Sequence, residues 1–293
     1  MWVVMIKTRN LTSVILLLFS TLFWGLGFVS VKWIKPYLNP FESNHVRFYL
    51  AALLVLPFIG WMRFKKKAKQ PWIPSAIAAV FIYLMLTLQT WGIYHTSVAK
   101  AGFLTTLYVN MIPIILWIIE KRRFSRHFVF CCFLSTLGVF LLNNANFTDW
   151  NLGDTLVTLC AFFSAMHIIY IEKVQKNIKY AFLFNAEQCL FLGIYALLMC
   201  FLHQDDLLIR VINFDQFAWI GLLSLSILSS ILAFGFQVYA QAHVPSQVAG
   251  LLFLLESPFA ALLAYLWLGE SLTAMALLGA SIVVLASVAV MTK

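Results

Sequence analysis

The chain has 293 residues, of which 62% are hydrophobic and only 11% are charged, and its formal net charge is +9. A soluble domain carries about a quarter charged residues, so this composition excludes a soluble globular protein. Apolar runs of about 20 residues match helices that cross ~30 Å of hydrocarbon, whereas barrel strands show alternation over about ten residues. We therefore predict an all-α integral membrane protein, with membrane lipids around it.

Ten apolar segments follow one another with short connections. None of these connections is long enough to form a separate soluble domain. The first segment lacks a small-residue cleavage site, so it is predicted to be a retained span and not a signal peptide. The ten segments are 11–31, 44–61, 73–94, 101–119, 127–144, 154–171, 182–202, 217–240, 247–267 and 273–291.

Basic residues collect in every second connection between these segments. If the N-terminus is cytoplasmic, 15 of the 20 lysines and arginines fall on the cytoplasmic side. This bias follows the positive-inside rule and predicts a bacterial cytoplasmic (inner) membrane protein with both termini in the cytoplasm. It also explains the positive net charge without a nucleic-acid partner. The fifteen residues are Lys7, Arg9, Arg63, Lys65, Lys66, Lys67, Lys69, Lys121, Arg122, Arg123, Arg126, Lys173, Lys176, Lys179 and Lys293.

Five residue types recur at a fixed offset of 148 positions. The match places the third predicted span on the eighth and the fourth on the ninth. Five spans, an odd number, separate the copies, so the halves would enter the membrane upside down relative to each other. We predict two inverted five-helix repeats, residues 1–146 and 147–293, forming one transport unit; chance similarity among apolar helices is the competing explanation. The matched residues are Gln89, His95, Ala101, Gly102 and Leu104, with Gln237, His243, Ala249, Gly250 and Leu252.

Glu256 and Pro258 lie in the middle of the ninth apolar segment. An ionised group near the bilayer centre costs about 3 kcal/mol on insertion scales, so it is rarely without a role. Proline removes a backbone hydrogen bond and leaves a carbonyl group that another helix or a cavity must satisfy. Two interpretations stand: Glu256 binds a cationic substrate or a coupling proton in a cavity, or it supports the kink at Pro258.

Polar residues of the third, fourth and eighth spans are further candidates for a cavity. Gln89 and Gln237 occupy matched repeat positions, where they either bind substrate or join helices by hydrogen bonds. Tyr108 and Asn110 precede Pro113, much as Glu256 stands just ahead of Pro258 in the ninth span. Each half thus has a polar residue shortly before a proline in its fourth helix, which suggests a paired gating or kink element.

Two more candidates lie in other spans. His167 in the sixth span is either a proton carrier or a hydrogen-bonded structural residue. Trp24, flanked by Gly25 and Gly27, either lines a pocket or packs against helices and lipid.

Two charged residues near the predicted ends of spans also need an explanation. Arg47 is interpreted either as an interfacial anchor or partner of Glu42, or as a residue of the interior. Glu187 lies five residues into the seventh predicted span, roughly 8 Å deep. It is expected to snorkel, to pair with a cytoplasmic lysine such as Lys179, or to contact substrate.

Enzyme signatures are missing from the sequence. It contains no G-x-S-x-G, H-E-x-x-H, Walker A or G-x-G-x-x-G motif. We therefore expect no catalytic residue, no metal and no cofactor. The five cysteines have no spacing typical of a metal site or a disulfide framework, and we interpret them as core residues. They are Cys131, Cys132, Cys160, Cys189 and Cys200.

Several motifs together resemble EamA-type carriers of the drug/metabolite transporter superfamily. The sequences LESPFAALL at 255–263 and LGESL at 268–272, with Gly279-Ala280, resemble the last two helices of that family. Ser257 splits the Glu-Pro pair that the family usually has. The first helix, the entry to the second and the start of the second half carry weaker matches. These are Trp24, Gly25, Phe28 and Lys32, then Pro40 to Arg47, then Gly153, Asp154, Ala161 and Ala165.

The resemblance implies a ten-helix, inverted five-plus-five fold with a central cavity and alternating access. It also implies a secondary carrier that exports amino acids or related amine or amphipathic compounds. As partners we expect a small-molecule substrate and protons as the coupling ion, with the chain a monomer or a homodimer. Two alternatives stay open: an importer of a nucleotide-like or quaternary-amine nutrient on the same fold, and a membrane-embedded lipid-modifying enzyme.

Overall fold

The computed structural model describes residues 11–96, 98–143, 150–200 and 207–291, and these residues form helices joined by short connections, with no β-strand among them. The first half contains α1 (Leu11–Ile34), α2 (Pro40–Gly60), α3 (Trp72–His95), α4 (Val98–Thr106), α5 (Tyr108–Glu120) and α6 (Arg126–Asn143). The second half contains α7 (Leu152–Val174), α8 (Ala181–Cys200), α9 (Leu207–Ile212), α10 (Gln216–Leu223), α11 (Phe234–Ala240), α12 (Ser246–Phe253), α13 (Glu256–Leu268) and α14 (Ala274–Met291). Turns of π-helix, Trp61–Lys65 and Ser224–Ala233, extend α2 and join α10 to α11, and a 3₁₀ turn, Gln175–Asn177, follows α7.

Within the described residues, nine helical stretches are long and apolar enough to cross a membrane. The chain is therefore a multi-pass membrane protein. The tenth predicted segment corresponds to α14, whose apolar part, Ala274–Val290, is shorter, so the count of ten spans stays a prediction. The nine stretches are Leu11–Ile34, Pro40–Lys65, Trp72–Gly92, Lys100–Glu120, Arg126–Asn143, Leu152–Asn177, Ala181–Met199, Gln216–Ala240 and Ser246–Leu268.

Some predictions fall on residues that the structure does not describe. The cytoplasmic placement of both termini concerns residues 1–10 and 292–293, which lie outside the described residues. The predicted boundary between the repeats, at residues 146 and 147, lies in the segment 144–149, which is also outside them.

Two spans are each broken into two helices at positions 148 residues apart. Leu107 separates α4 from α5 with φ −60° and ψ −14°, and Leu255 precedes α13 with φ −62° and ψ −13°. Both second helices are 13 residues long, and both end in a left-handed residue, Lys121 with φ 54° and Gly269 with φ 67°. The backbone path of the fourth span thus recurs in the ninth at the offset found in the sequence.

Pro258 explains the local geometry of the second break. Proline has no N–H group to bond the Leu254 carbonyl oxygen four residues earlier. Ser257 N–H donates to that oxygen instead, at 3.1 Å, in a tighter i→i−3 turn. The break therefore keeps the freed carbonyl group satisfied within the span.

The most extensive helix contacts join the two halves of the chain. Helix α3 packs on α7, α2 on α8, and α6 on α14, while α1 packs on α13 and on the α10–α11 span. Glycines allow α6 and α14 to touch: a Cβ atom on Gly279 would lie only 2.4 Å from the carbonyl oxygen of Gly138. The halves are therefore interleaved rather than side by side.

Ion pairs lie at the two ends of the helices. We call the end that contains connections 61–71, 121–125 and 175–180 the basic end, and the end that contains connections 35–39 and 269–273 the opposite end. Six of the seven ion pairs of the described residues join a residue before position 144 to one after position 150. At the basic end these are Arg63–Glu187, Arg122–Glu172 and Lys173–Glu120; at the opposite end they are Lys32–Glu270, Lys100–Asp154 and Arg210–Glu42.

Candidate functional site

A buried guanidinium group lies between α2 and the π-helical turns of the eighth span. Asn39 caps α2, which begins at Pro40, earlier than the predicted start at 44, so Arg47 is about two turns inside the helix. The residue is 5% exposed. Its Nε donates to Ser230 Oγ and its Nη2 donates to Ser229 Oγ, both at 2.8 Å.

The interfacial interpretation of Arg47 was therefore wrong. Glu42 does not pair with Arg47; its carboxylate accepts from Arg210 at 2.6 Å. The early start of α2 carries Arg47 too far inward for its side chain to reach the membrane surface. Sequence reasoning thus underrated this residue, although an arginine within an apolar segment was a signal for it.

The serines that hold Arg47 belong to the π-helical stretch Ser224–Ala233. Side chains of other helices donate to carbonyl oxygens of this stretch: Trp24 Nε1 to Ser229 at 3.3 Å, and Asn185 Nδ2 to Ser230 at 3.2 Å and to Ile231 at 2.7 Å. Wider turns of this kind are frequent at functional sites. The sequence signal for it was the serine-rich run SLSILSS inside an apolar span.

Glu256 is the first residue of α13, just after the break in the ninth span. Its side chain is only partly buried, and among the described residues its carboxylate has no hydrogen-bond or ion-pair partner. It interacts electrostatically with Arg47, Tyr108 and Cys160, which come from three other helices. The position at a helix N-terminus favours a negative charge. Glu256 is thus an interior carboxylate with an unoccupied hydrogen-bonding capacity.

Helix α1 connects the surroundings of the two charges. The Trp24 ring lies 5.0 Å from the rings of both Phe234 and Phe253, and its N–H group bonds the Ser229 carbonyl beside Arg47. A Cβ atom on the adjacent Gly25 would lie 3.1 Å from the carbonyl oxygen of Glu256. The absence of a side chain at Gly25 therefore lets α13 approach α1.

The remaining candidates of the first half contact neighbouring helices. Tyr108 is buried at the start of α5, in electrostatic range of Glu256. Asn110 donates to Thr136 Oγ1 on α6 at 2.7 Å, and Gln89 donates to Thr105 Oγ1 on α4 at 3.3 Å. Pro113 lies inside α5, as Pro258 lies inside α13.

His167 and Gln237 meet in a second buried polar group. His167 Nε2 lies 3.1 Å from Gln188 Oε1, and its Nδ1 lies 3.4 Å from Gln237 Nε2. Gln237 also donates to Gln241 Oε1 at 2.9 Å, and Gln188 donates to Asn185, which supports the π-helical stretch. Both ring nitrogens of His167 are therefore engaged by amide side chains.

Glu187 forms a buried ion pair at the basic end. It accepts hydrogen bonds from Arg63, from Ser75 Oγ at 2.8 Å and from Gln70 Nε2 at 3.4 Å. Pairing with Lys179, one of the expected arrangements, was wrong; only the backbone N–H of Lys179 takes part, bonding Gln70 Oε1 at 3.1 Å. Arg63 is closer because the π-helical turn carries it back over α8.

Comparisons with known proteins agree with this architecture. The family model described as EamA-like transporter family matches residues 11–144 and 151–292. Two relatives from Archaeoglobus fulgidus, each described as an uncharacterized transporter, are similar: one is 29% identical over 92% of this chain and 82% of its own length. The other is 24% identical over 89% of this chain and 91% of its own length. One solved crystal structure shares the fold, with a TM-score of 0.79 over 96% of both chains at 13% identity.

Proposed function

The chain belongs to the EamA-like transporter family of the drug/metabolite transporter superfamily, and we propose that it is a secondary active carrier for a small metabolite. It moves an amino acid or a related amine or amphipathic compound across the cytoplasmic membrane, in the direction of export. Two inverted five-helix repeats rock around a site near the midplane, so that access alternates between the two sides.

Matched geometry in the two halves supports the inverted repeat. Tyr108 and Glu256 begin the second helix of their broken spans at the offset of 148, after leucines with nearly the same backbone angles. The family model also matches the chain twice, once in each half. In this arrangement Glu256 and Tyr108 are counterparts at the centre of the carrier, where broken helices bind substrates in other inverted-repeat carriers.

The ion pairs at the helix ends support the rocking motion. Arg63, at the end of α2, binds Glu187 near the start of α8 at the basic end. Arg210, after α8, binds Glu42 near the start of α2 at the opposite end. Exchanging the halves turns one pair into the other, as an inverted repeat requires. Each pair is well placed to hold one end closed while the other opens.

The single observation that carries the proposal is the interior carboxylate of Glu256, which has no described partner. A carboxylate held at a helix break inside a membrane protein either binds a cationic substrate group or exchanges a proton during transport. Both roles make transport depend on the ionisable carboxyl group and not on its shape.

Counterflow in proteoliposomes tests the proposal. Purified full-length chain is reconstituted and assayed with a library of labelled amino acids and amines, comparing the wild type with Glu256→Gln. The amide keeps the shape of the side chain but removes its charge, so we expect transport to be lost or its pH dependence to shift. Glu270→Gln is the matched control because its side chain is 49% exposed and exposed ion pairs contribute only about 0–1 kcal/mol.

Two results would contradict the proposal. Normal flux of Glu256→Gln at every pH would remove Glu256 from the mechanism. Failure of the wild-type protein to move any compound of the library would argue against a metabolite carrier of this class. Comparison of preloaded and empty vesicles under opposite gradients tests the export direction.

A further inference from the structure

Two opposite charges in the interior are near each other without being paired. Arg47 and Glu256 interact electrostatically. The ion pairs of the described residues, counted within 4.0 Å, do not include one between them. Buried charges are normally paired, because removing an ion from water costs several kcal/mol. This separated pair therefore differs from the six closed ion pairs at the helix ends.

Each of the two groups keeps hydrogen-bonding capacity. Arg47 uses Nε and Nη2 for Ser230 and Ser229, and its Nη1 has no acceptor among the described residues. The carboxylate of Glu256 likewise has no described donor, and its side chain remains partly accessible. The serine hydroxyls hold the guanidinium in place but supply no negative charge.

The surroundings bring the two groups to one place. Trp24 bonds the carbonyl of Ser229, whose hydroxyl holds Arg47, and the neighbouring Gly25 lies against the backbone of Glu256. The ring of Trp24 packs against Phe253 at 5.0 Å, so an apolar surface lies beside the charged groups.

We propose that Arg47 and Glu256 bind the two ends of a zwitterionic α-amino acid, the carboxylate at Arg47 and the ammonium group at Glu256, with an apolar side chain toward Trp24. This inference rests on the proposed carrier function and names its substrate class. A zwitterion inserted between the charges completes both hydrogen-bond sets and adds no net charge to the interior. A simple amine leaves Arg47 without a partner, and a simple acid leaves Glu256 without one.

Matched probes test the inference in purified full-length protein. Leucine, phenylalanine and threonine are each compared with the amine that lacks the carboxylate and the acid that lacks the ammonium group, using calorimetry. A site with buried charged groups rejects analogues that leave one of them unpaired, so we expect at least one amino acid to bind about 100-fold more tightly than its amine and its acid.

The variants separate a binding role from a structural one. Arg47→Gln should lower amino-acid affinity about 100-fold while changing amine affinity less than about threefold, because the amine never used the guanidinium. Arg47→Lys keeps the charge and is expected to retain part of the preference, which covers the case in which the glutamine variant does not fold. Arg210→Gln, at the opposite end, is the matched control and should leave the preference unchanged.

The outcomes distinguish this inference from the carrier function. Equal binding of amino acid and amine, an unchanged preference in the Arg47 variants, or no binding of any of the three amino acids overturns the zwitterion site. Counterflow of other library compounds in the same preparation would then leave the carrier function standing. A preference for the amino acid that disappears with Arg47→Gln supports the site.

Discussion

Removing the charge of Glu187 should open the basic end of the protein. Glu187 is fully buried, and the side chain of its partner Arg63 is only 14% exposed. Glu187→Gln keeps the side-chain shape, so Ser75 and Gln70 retain an amide as a hydrogen-bonding partner. The substitution leaves the Arg63 guanidinium without a counter-charge in the conformation described here.

The size of the effect follows from the burial of the pair. Removing one partner of a buried ion pair costs about 3–5 kcal/mol. Arg63 retains some exposure and lies 4.2 Å from the centre of the Trp72 ring, so we expect the lower figure, about 3 kcal/mol. If the pair forms only when the basic end is closed, 3 kcal/mol shifts the balance toward the open form by roughly 150-fold.

Cysteine labelling measures this shift. Cys189 is buried among α2 and α8 residues that include Ile59 and Leu183, and these helices belong to different halves. With Cys189 as the sole cysteine, its reaction with a polar maleimide reports separation of α2 from α8. We expect Glu187→Gln to raise the labelling rate about 100-fold, in line with the calculated population shift.

A double substitution decides whether the ion pair is responsible. Arg63→Gln alone should raise the labelling rate as Glu187→Gln does, and the combination should add little, because two groups in contact are not independent. Unchanged labelling in Glu187→Gln, or effects of the single substitutions that simply add, would refute the assignment of this pair as a closing element.

Three further predictions concern other parts of the fold. Glu42→Gln should leave labelling at the basic end unchanged, since its ion pair lies at the opposite end and its glutamine still completes the cap of α2. Gly279→Ala should lower the melting temperature because its Cβ would lie 2.4 Å from backbone atoms of α6; Gly60→Ala, which meets no atom within 4 Å, should not, and equal melting temperatures would contradict the α6–α14 contact. Trp24→Phe should destabilise the protein by about 1–3 kcal/mol in denaturant unfolding, since it leaves the carbonyl of Ser229 without its donor; full stability would show that this bond contributes little.

Helix breaks illustrate how far sequence reasoning reached. Pro113 and Pro258 indicated disturbed helices in the fourth and ninth spans, and the structure has a break in each. The breaks lie before the prolines, at Leu107 and at 254–255, because a proline affects the carbonyl group one turn upstream. The offset of 148, found from five residue matches, recurs in the helix boundaries.

Arg47 shows what the sequence did not reveal. Its depth depended on where α2 begins, and the capping box of Asn39 and Glu42 starts the helix four residues before the apolar run. The role of Ser229 and Ser230 depended on the π-helical turns, which turn both hydroxyls toward Arg47. A serine in an apolar span has many possible partners, and hydropathy does not distinguish them.

The sequence alone determined the membrane class and the family, because hydropathy and motifs are properties of the linear chain. Only the tertiary structure decided which charges pair, since the partners are far apart along it. Arg210 and Glu42 are separated by 168 positions, and Arg63 and Glu187 by 124. With those acids engaged at the helix ends, Arg47 and Glu256 are left facing each other in the interior, which no count of charges along the sequence could have shown.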